Sequence, residues 1–440
     1  MRTAPFPPPE PGTDASKRGF DRFRNEVMAG GSVTERSDEG DGDGTPASRT
    51  TSIVTGVIVL ALLGWLAFVN VWMFVFAIGI VISVFLHETG HFVTARMTGM
   101  KATQFFLGFG PRLWSFKRGE TEYGARALPI GAFVRIIGMN NLDEVPPHDE
   151  GRTYRQATFP RRMLVISAGS IMHILIAVLL LFTIYAAKGE LVEAPGATVQ
   201  AVSAGGPAAN AGIRDGDTIL SVDGTAVNDA DDLGGAVRAH QPGDAVSIVL
   251  ERDGARQTLD VGLGSNTTQG DPNFGSALLG VTSHGATEWQ SMGIGEAVTS
   301  GVTDVWPLAW DSAAGVVKVL NPVNIVDHLS DENADPMTRP TTVVGVTQFS
   351  GSIGDEEGIF GILFLLAGLN VFVGIFNMFP LLPLDGGHAA IAVYERFRER
   401  NGRRYFADVS KLMPVAMGVI VVLALLFMSG LYLDLARPLK

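Results

Sequence analysis

Apolar residues in this chain gather in five long runs, at 53–69, 71–86, 163–187, 359–384 and 413–433. A helix needs about 20 apolar residues to cross roughly 30 Å of hydrocarbon, so each run is near membrane-crossing length. The first two cover 53–95 almost without interruption, more than tilt absorbs in one helix. The pattern predicts two helices there, 53–69 and 71–97, turning near Asn70, then helices at 163–187, 359–382 and 413–433. Residues 1–50 show no periodicity and are rich in Pro, Gly, Asp, Glu and Ser, which predicts a disordered tail. Met28 offers an alternative start, which would leave 1–27 outside the working protein.

Composition supports a membrane protein. Of 440 residues, 46% are hydrophobic and only 18% charged, against about a quarter charged in soluble domains. Basic residues crowd the polar stretch 98–162, and again Arg396, Arg398, Arg400, Arg403 and Arg404. By the positive-inside rule both stretches are cytoplasmic. The segment 188–358 is acidic with few basic residues, and the helix order places it on the outer side. The predicted class is a polytopic α-helical membrane protein with 4–5 transmembrane helices. It divides into a cytoplasmic tail (1–50), a first membrane part (51–187), an inserted α+β domain (193–265), an extracytoplasmic or interfacial segment (266–358) and a second membrane part (359–440). The net charge of −12 argues against nucleic acid as a partner. With no cysteine, disulfides and Cys-ligated metals are excluded.

Within 193–265 the period shortens to strands and turns, with a hairpin signal at Asp253-Gly254. The stretch "GPAANAGIRDGDTILSVDG" (206–224) resembles the core of a PDZ domain. That resemblance implies a groove that binds a peptide terminus by strand addition. Further on, Ile294, Val298, Val302, Val305, Trp306 and Trp310 form a helical stripe within 294–320, with aromatic residues suited to a membrane interface.

The chemistry starts at "VFLHETGHFV" (84–93), which ends an apolar run with His87, Glu88 and His91. His87 and His91 share one helix face, a turn apart. H-E-x-x-H is the spacing of two zinc-binding imidazoles with a glutamate beside them. Charged groups at membrane depth cost at least about 2.5 kcal/mol each and are kept for function. A catalytic zinc needs a third protein ligand and an open position. The soluble zincin continuation is missing, since Thr94 and Met97 stand where Gly and His would be required. The third ligand must come from elsewhere, and Asp385 in "FNMFPLLPLDGGH" (376–388) is the best candidate, predicted at the same membrane face. Pro380 and Pro383 would break the helix just before it.

"HETGH" in one membrane helix, "PLDGG" in a later one and a PDZ-like insert resemble the site-2 protease family of intramembrane zinc metalloproteases. The likeness is to the bacterial RseP-type group, and its actinobacterial members in particular, over residues 71–435. It includes "GFGPRLWSFKRGETEYGARALPIGAFVRIIGM" (108–139), which looks like the family's membrane-dipping β-hairpin and following strand. The resemblance implies Zn2+ held by His87, His91 and Asp385, Glu88 as general base, and Asn377 as an oxyanion or substrate contact. It implies single-pass membrane substrates, such as trimmed anti-sigma factors or remnant signal peptides, with a peptide terminus at an extracytoplasmic PDZ domain. It also implies a multi-pass location in the bacterial cell membrane. Ser170 and His173 depart from the family's usual Gly-Pro…Asn pattern, and His173 is expected to be a packing residue. His388 is expected to be a plain helix residue; His148, His240, His284 and His328 have no motif context. The alternative function is a catalytically inactive membrane scaffold with a peptide-binding PDZ domain; retention of Glu88 argues against it. A zinc transporter would need ligands along a path, whereas they occur at one depth.

Overall fold

The computed structural model describes residues 49–139, 143–269, 272–319, 321, 323–324, 327–328, 338–399 and 404–437. The tail expected over 1–50 lies outside them apart from its last two residues, as do Arg400 and Arg403 of the second basic cluster. The chain divides into two units, one made of residues up to Ile184 together with those from Val298, the other Tyr185–Ala297.

The first unit opens with α1 (Arg49–Val69) and α2 (Val71–Met97), separated at Asn70. The break has a local cause. The Asn70 side chain accepts hydrogen bonds from the amides of Trp72 and Met73, at 2.8 and 3.1 Å, and so caps the second helix. Next come α3 (Phe159–Lys188) and, later in the chain, α8 (Val343–Asn377), α9 (Asp385–Arg398) and α10 (Met413–Ala436). Among the described residues four helices, α2, α3, α8 and α10, are long and apolar enough to cross a membrane. The apolar part of α1, Val54–Val69, is shorter. The protein is a polytopic membrane protein.

The helix expected at 359–382 starts where expected, just after a non-helical Gly358 (φ 67°) that divides α8, but stops early, at Asn377. Ahead of the kink α8 has a further helical half, from Val343, that the sequence reading left out. Its start is set from far along the chain. The buried Asp434 of α10 accepts from the Thr342 amide (2.8 Å), the Thr342 hydroxyl (2.7 Å) and the Gly345 amide (3.1 Å). Those amides would otherwise be unpaired at the helix start. Close packing then holds the polar first half. A Cβ on Gly354 would collide with Trp72, and one on Gly79 would meet Leu366, so glycines let α2 and α8 approach closely. The stripe expected at 294–320 forms two helices, α6 (Ile294–Thr303) and α7 (Val305–Val319), broken at Asp304.

Between α2 and α3 lie β1 (Ala102–Arg118) and β2 (Thr121–Ile136). They form one long hairpin folded back on itself. Ala102–Leu107 pairs with Ala132–Ile136 on one side and, through Gln104–Leu107, with Glu122–Ala125 on the other. Beyond Gly108 and Gly110, both at positive φ, the strand continues to Arg118 beside Thr121–Arg126. Glycine tolerates those angles where a Cβ would not. At Gly108 a Cβ would also collide with the Leu128 carbonyl. A buried ion pair, Arg162 Nη2 to Glu395 at 2.6 Å, joins α3 to α9, and the Ala407 amide donates to the same carboxylate at 2.7 Å.

The second unit contains β3 (Glu190–Val202), α4 (Pro207–Ala211), β4 (Thr218–Val222), α5 (Ala230–Arg238), β5 (Ala245–Arg252), β6 (Ala255–Gly262) and β7 (Val281–Gln290). The sheet runs in the order β7-β3-β4-β5-β6 around a core that includes Val199, Ile219, Ile248, Leu250 and Val261. The expected boundaries 193–265 are too narrow. β7 lies beyond them and pairs with β3 along most of its length, as an edge strand of the sheet. A strand whose partner lies far back in sequence leaves no hairpin signal. Asp217 is nearly fully buried and accepts from Arg252 Nε (2.7 Å), Arg252 Nη2 (2.6 Å) and the Arg214 amide (2.8 Å). Burial pushes its carboxyl up, but the Arg252 fork and the Arg214 amide outweigh this and hold it below the usual carboxylate range.

Two outcomes follow. Glu395→Leu strands the buried Arg162 charge and is expected to cost about 3–5 kcal/mol, read as a lower denaturant midpoint in detergent; the double variant with Arg162→Met should recover most of it. Because the Asp217 value is depressed in the folded state, its contribution is complete above about pH 4, the ordinary aspartate value, and is lost as pH falls through the folded value. Arg252→Met removes that contribution and raises the pH at which acid opens the unit, followed by hydrogen exchange at Thr218–Val222.

Candidate metal centre

The apolar run from Val71 makes α2 a helix through to Met97, and its buried face carries His87 and His91 (6% and 7% exposed). The two rings meet edge to face, with centroids 4.8 Å apart. His91 Nδ1 lies 2.7 Å from the Val165 carbonyl of α3. A carbonyl only accepts, so Nδ1 carries the proton and Nε2 presents its lone pair. His91 Nε2 is 3.1 Å from His87 Nε2. Asp385 Oδ2 lies 3.4 Å from His87 Nε2 and 3.2 Å from His91 Nε2.

Asp385 is the first residue of α9. The chain reaches it from the end of α8 through the tight loop Met378–Leu384, where the Leu381 amide donates to the Phe379 carbonyl and the Leu384 amide to the Leu381 carbonyl. The two glycines after Asp385 have a steric reason. A Cβ on Gly386 would collide with the carbonyl oxygens of Met378 and Phe379, and one on Gly387 would press on the backbone of Leu381 and Leu382. The loop can fold against the helix start only if both lack side chains. Glu88 stands beside the cluster, its Oε1 4.0 Å from His87 Nε2. Its Oε2 accepts the Val134 amide of β2 at 3.0 Å.

These atoms fit zinc. Tetrahedral zinc with bonds of about 2.0–2.1 Å spaces its ligand atoms about 3.3 Å apart, and the three observed separations run from 3.1 to 3.4 Å. Asp385 Oδ2 and His87 Nδ1 are buried without a hydrogen-bond partner among the described residues. Two imidazoles, one presenting a lone pair, and a carboxylate drawn this close lack the protons to satisfy one another. A divalent cation between them removes the conflict. Space for it depends on Gly169 of α3, where a Cβ would collide with His87 Cε1 and His91 Nε2.

The sequence-predicted residues are thus distributed as follows. His87, Glu88, His91 and Asp385 come together. Asn377 ends α8, half-buried, ahead of the loop to Asp385. His388 is buried on α9 beside a small cavity lined also by Tyr154, Arg162 and Glu395. Sequence reasoning missed Gly169, Val134 and a buried polar chain behind His87. In that chain, His173 Nδ1 meets Asn370 Oδ1 at 2.7 Å, and Asn370 Nδ2 donates to Ser83 Oγ (3.0 Å) and to the Leu366 carbonyl (2.8 Å). An asparagine inside the run 359–382 was the available signal, since a polar group at that depth needs partners.

Comparison with known proteins gives the family. Residues 75–421 match the model of peptidase family M50. The zinc metalloprotease Rip1 of Mycobacterium tuberculosis is 36% identical, in an alignment covering 83% of this chain and 97% of that protein. The zinc metalloprotease Rip1 of Mycolicibacterium smegmatis is 33% identical over the same shares of each chain. Among solved structures, the PDZ domain of an SdrC-like protein from Listeria monocytogenes aligns at 25% identity over 21% of this chain and 90% of that one, with a TM-score of 0.19. The chain belongs to peptidase family M50. It is a zinc metalloendopeptidase of the RseP-type site-2 protease group, with actinobacterial relatives.

Gly169→Ala tests the geometry. In a helix, glycine to alanine otherwise favours folding by about 1 kcal/mol. Here it is expected to leave α3 intact and abolish zinc retention, measured as metal content after gel filtration of the detergent-solubilised protein.

Proposed function

We propose that this protein is an intramembrane endopeptidase that cuts single-pass membrane proteins within or beside their membrane segment, in the bacterial cell membrane. Anti-sigma factors already trimmed by another protease are the leading substrate class; remnant signal peptides are a second. The observation that carries this is the convergence of His87, His91 and Asp385, from two separate elements, beside a glutamate that touches a strand.

In this reading His87, His91 and Asp385 hold the zinc, which when bound polarises a peptide carbonyl and acidifies water. Glu88 takes a proton from the attacking water and returns it to the leaving amine. Asn377 donates from its carboxamide to the developing oxyanion or to the substrate backbone. A transmembrane helix has its backbone hydrogen bonds satisfied internally, so it must be unwound before it can be cut. The segment Ala132–Ile136 supports a role in this. One side of it pairs with Ala102–Leu107, and Val134 turns its amide toward Glu88, so an extended substrate added along that edge would lie against the base. The hairpin would dip into the membrane from the cytoplasmic side, with Trp114 and Phe116 stacked and exposed on its outer strand. The PDZ-like unit would stand on the extracytoplasmic side, where the edge strand β7 is available to a trimmed peptide terminus.

The test is reconstitution of the full-length protein in vesicles with a panel of tagged single-pass substrates, comparing wild type with Glu88→Gln. Loss of the general base is expected to slow cleavage by about 100-fold or more while zinc stays bound. Equal cleavage by both, with metal in both, sinks the assignment of Glu88; no cleavage of any candidate by wild type favours the scaffold alternative.

A further inference from the structure

Zinc-binding histidines usually donate their second ring N–H to an acceptor, which fixes the tautomer and the ring's orientation. His91 does this through Nδ1 and the Val165 carbonyl. His87 does not: its Nδ1 is buried and has no partner among the described residues. The ring beside it is His173, with centroids 4.9 Å apart and planes at 43°. His173 is 2% exposed.

The protonation of His173 can be read from its neighbours. Asn370 faces the Leu366 carbonyl at 2.8 Å, and a carbonyl has no proton to give, so the atom facing it is the amide nitrogen. The same nitrogen reaches Ser83 Oγ, whose own proton goes to the Gly79 carbonyl at 2.9 Å. The remaining atom, Oδ1, therefore faces His173 Nδ1 and accepts from it. A neutral His173 protonated at Nδ1 has a bare Nε2, which is an acceptor. A donor without an acceptor on His87 thus sits beside a ring whose neighbours have prepared an acceptor.

We propose that His173 is a positioning residue of the metal centre, its Nε2 accepting the Nδ1–H of His87 so that His87 Nε2 stays aimed at His91 and Asp385. The two rings already lie against each other, with centroids 4.9 Å apart, and the proposal requires the zinc-loaded site to bring these two nitrogens within hydrogen-bond reach, directly or through a water. Asn370 and Ser83 act through His173 by holding its tautomer, so the three helices α2, α3 and α8 together orient one ligand. Packing alone does not require this arrangement, because the bond to Asn370 already satisfies His173 Nδ1 and an apolar ring would fill the space. The inference rests on the zinc-ligand role of His87 proposed above.

The test uses the full-length protein in detergent, titrated with Zn2+ against a competing chelator. His173→Phe combined with Asn370→Leu removes both polar partners and strands neither, which keeps the fold. The double variant is expected to bind Zn2+ about 10–100-fold more weakly than wild type, with metal-free thermal unfolding unchanged. His173→Gln, which keeps a donor and an acceptor, should recover part of the affinity. Wild-type affinity in a folded double variant overturns the proposal. If the double variant does not fold, nitrogen NMR of ring-labelled histidine in the zinc-loaded wild type decides. His173 is expected with Nδ1 protonated and Nε2 bare; a proton on Nε2 overturns the proposal. A wild type that binds no Zn2+ would instead bring down the metal-centre reading itself.

Discussion

The structure depends on one electrostatic constraint. Ionisable groups at lipid depth are costly unless they are partnered, and His87, His91 and Asp385, with Glu88 alongside, lack the protons to satisfy one another and call for a shared cation. The set is assembled from two elements far apart in sequence, α2 and the start of α9. Neither could bury its share alone. Much of the surrounding architecture serves this meeting. The Val165 carbonyl orients one imidazole, the Arg162–Glu395 pair ties α3 to the helix that begins at Asp385, and the paired glycines after Asp385 let the loop close.

Glycine recurs wherever two elements must come closer than side chains allow. Gly79 and Gly354 let α2 and α8 touch, and Gly169 brings the backbone of α3 up to the imidazoles. In water, burial of apolar surface would drive such contacts. Between membrane helices that force is absent, and close packing with interhelical hydrogen bonds takes its place. The buried Ser83–Asn370–His173 chain and the Asp434 cap on α8 are the polar half of the same solution.

What the sequence made legible was local. The span of α2, its break at Asn70 and the paired histidines follow from periodicity, a capping side chain and helical spacing. Asp385 was reachable because Pro380 and Pro383 announce the end of a helix before it. What escaped was set by distant partners. The helical half from Val343 was passed over although Thr342 caps it locally, its hydroxyl accepting from the Val344 amide, because the buried group that holds this start, Asp434, lies 92 positions from Thr342. β7 was overlooked because it pairs with β3 across the whole unit rather than with a neighbour. Gly169 looked ordinary, and His173, noticed as a departure from the family's pattern, read as packing, since nothing in an apolar helix tells which of its faces meets the histidines.

The bond between Glu88 and Val134 carries a further consequence. An amide proton cannot serve two carbonyl-type acceptors fully at once. While no guest strand lies on that edge, the carboxylate is tethered to it. In the proposed reading, a guest that claimed the Val134 proton would untie the carboxylate in the same event, so arrival of a polypeptide and arming of the base would be a single exchange of partners, and the idle enzyme would be muzzled by its own backbone.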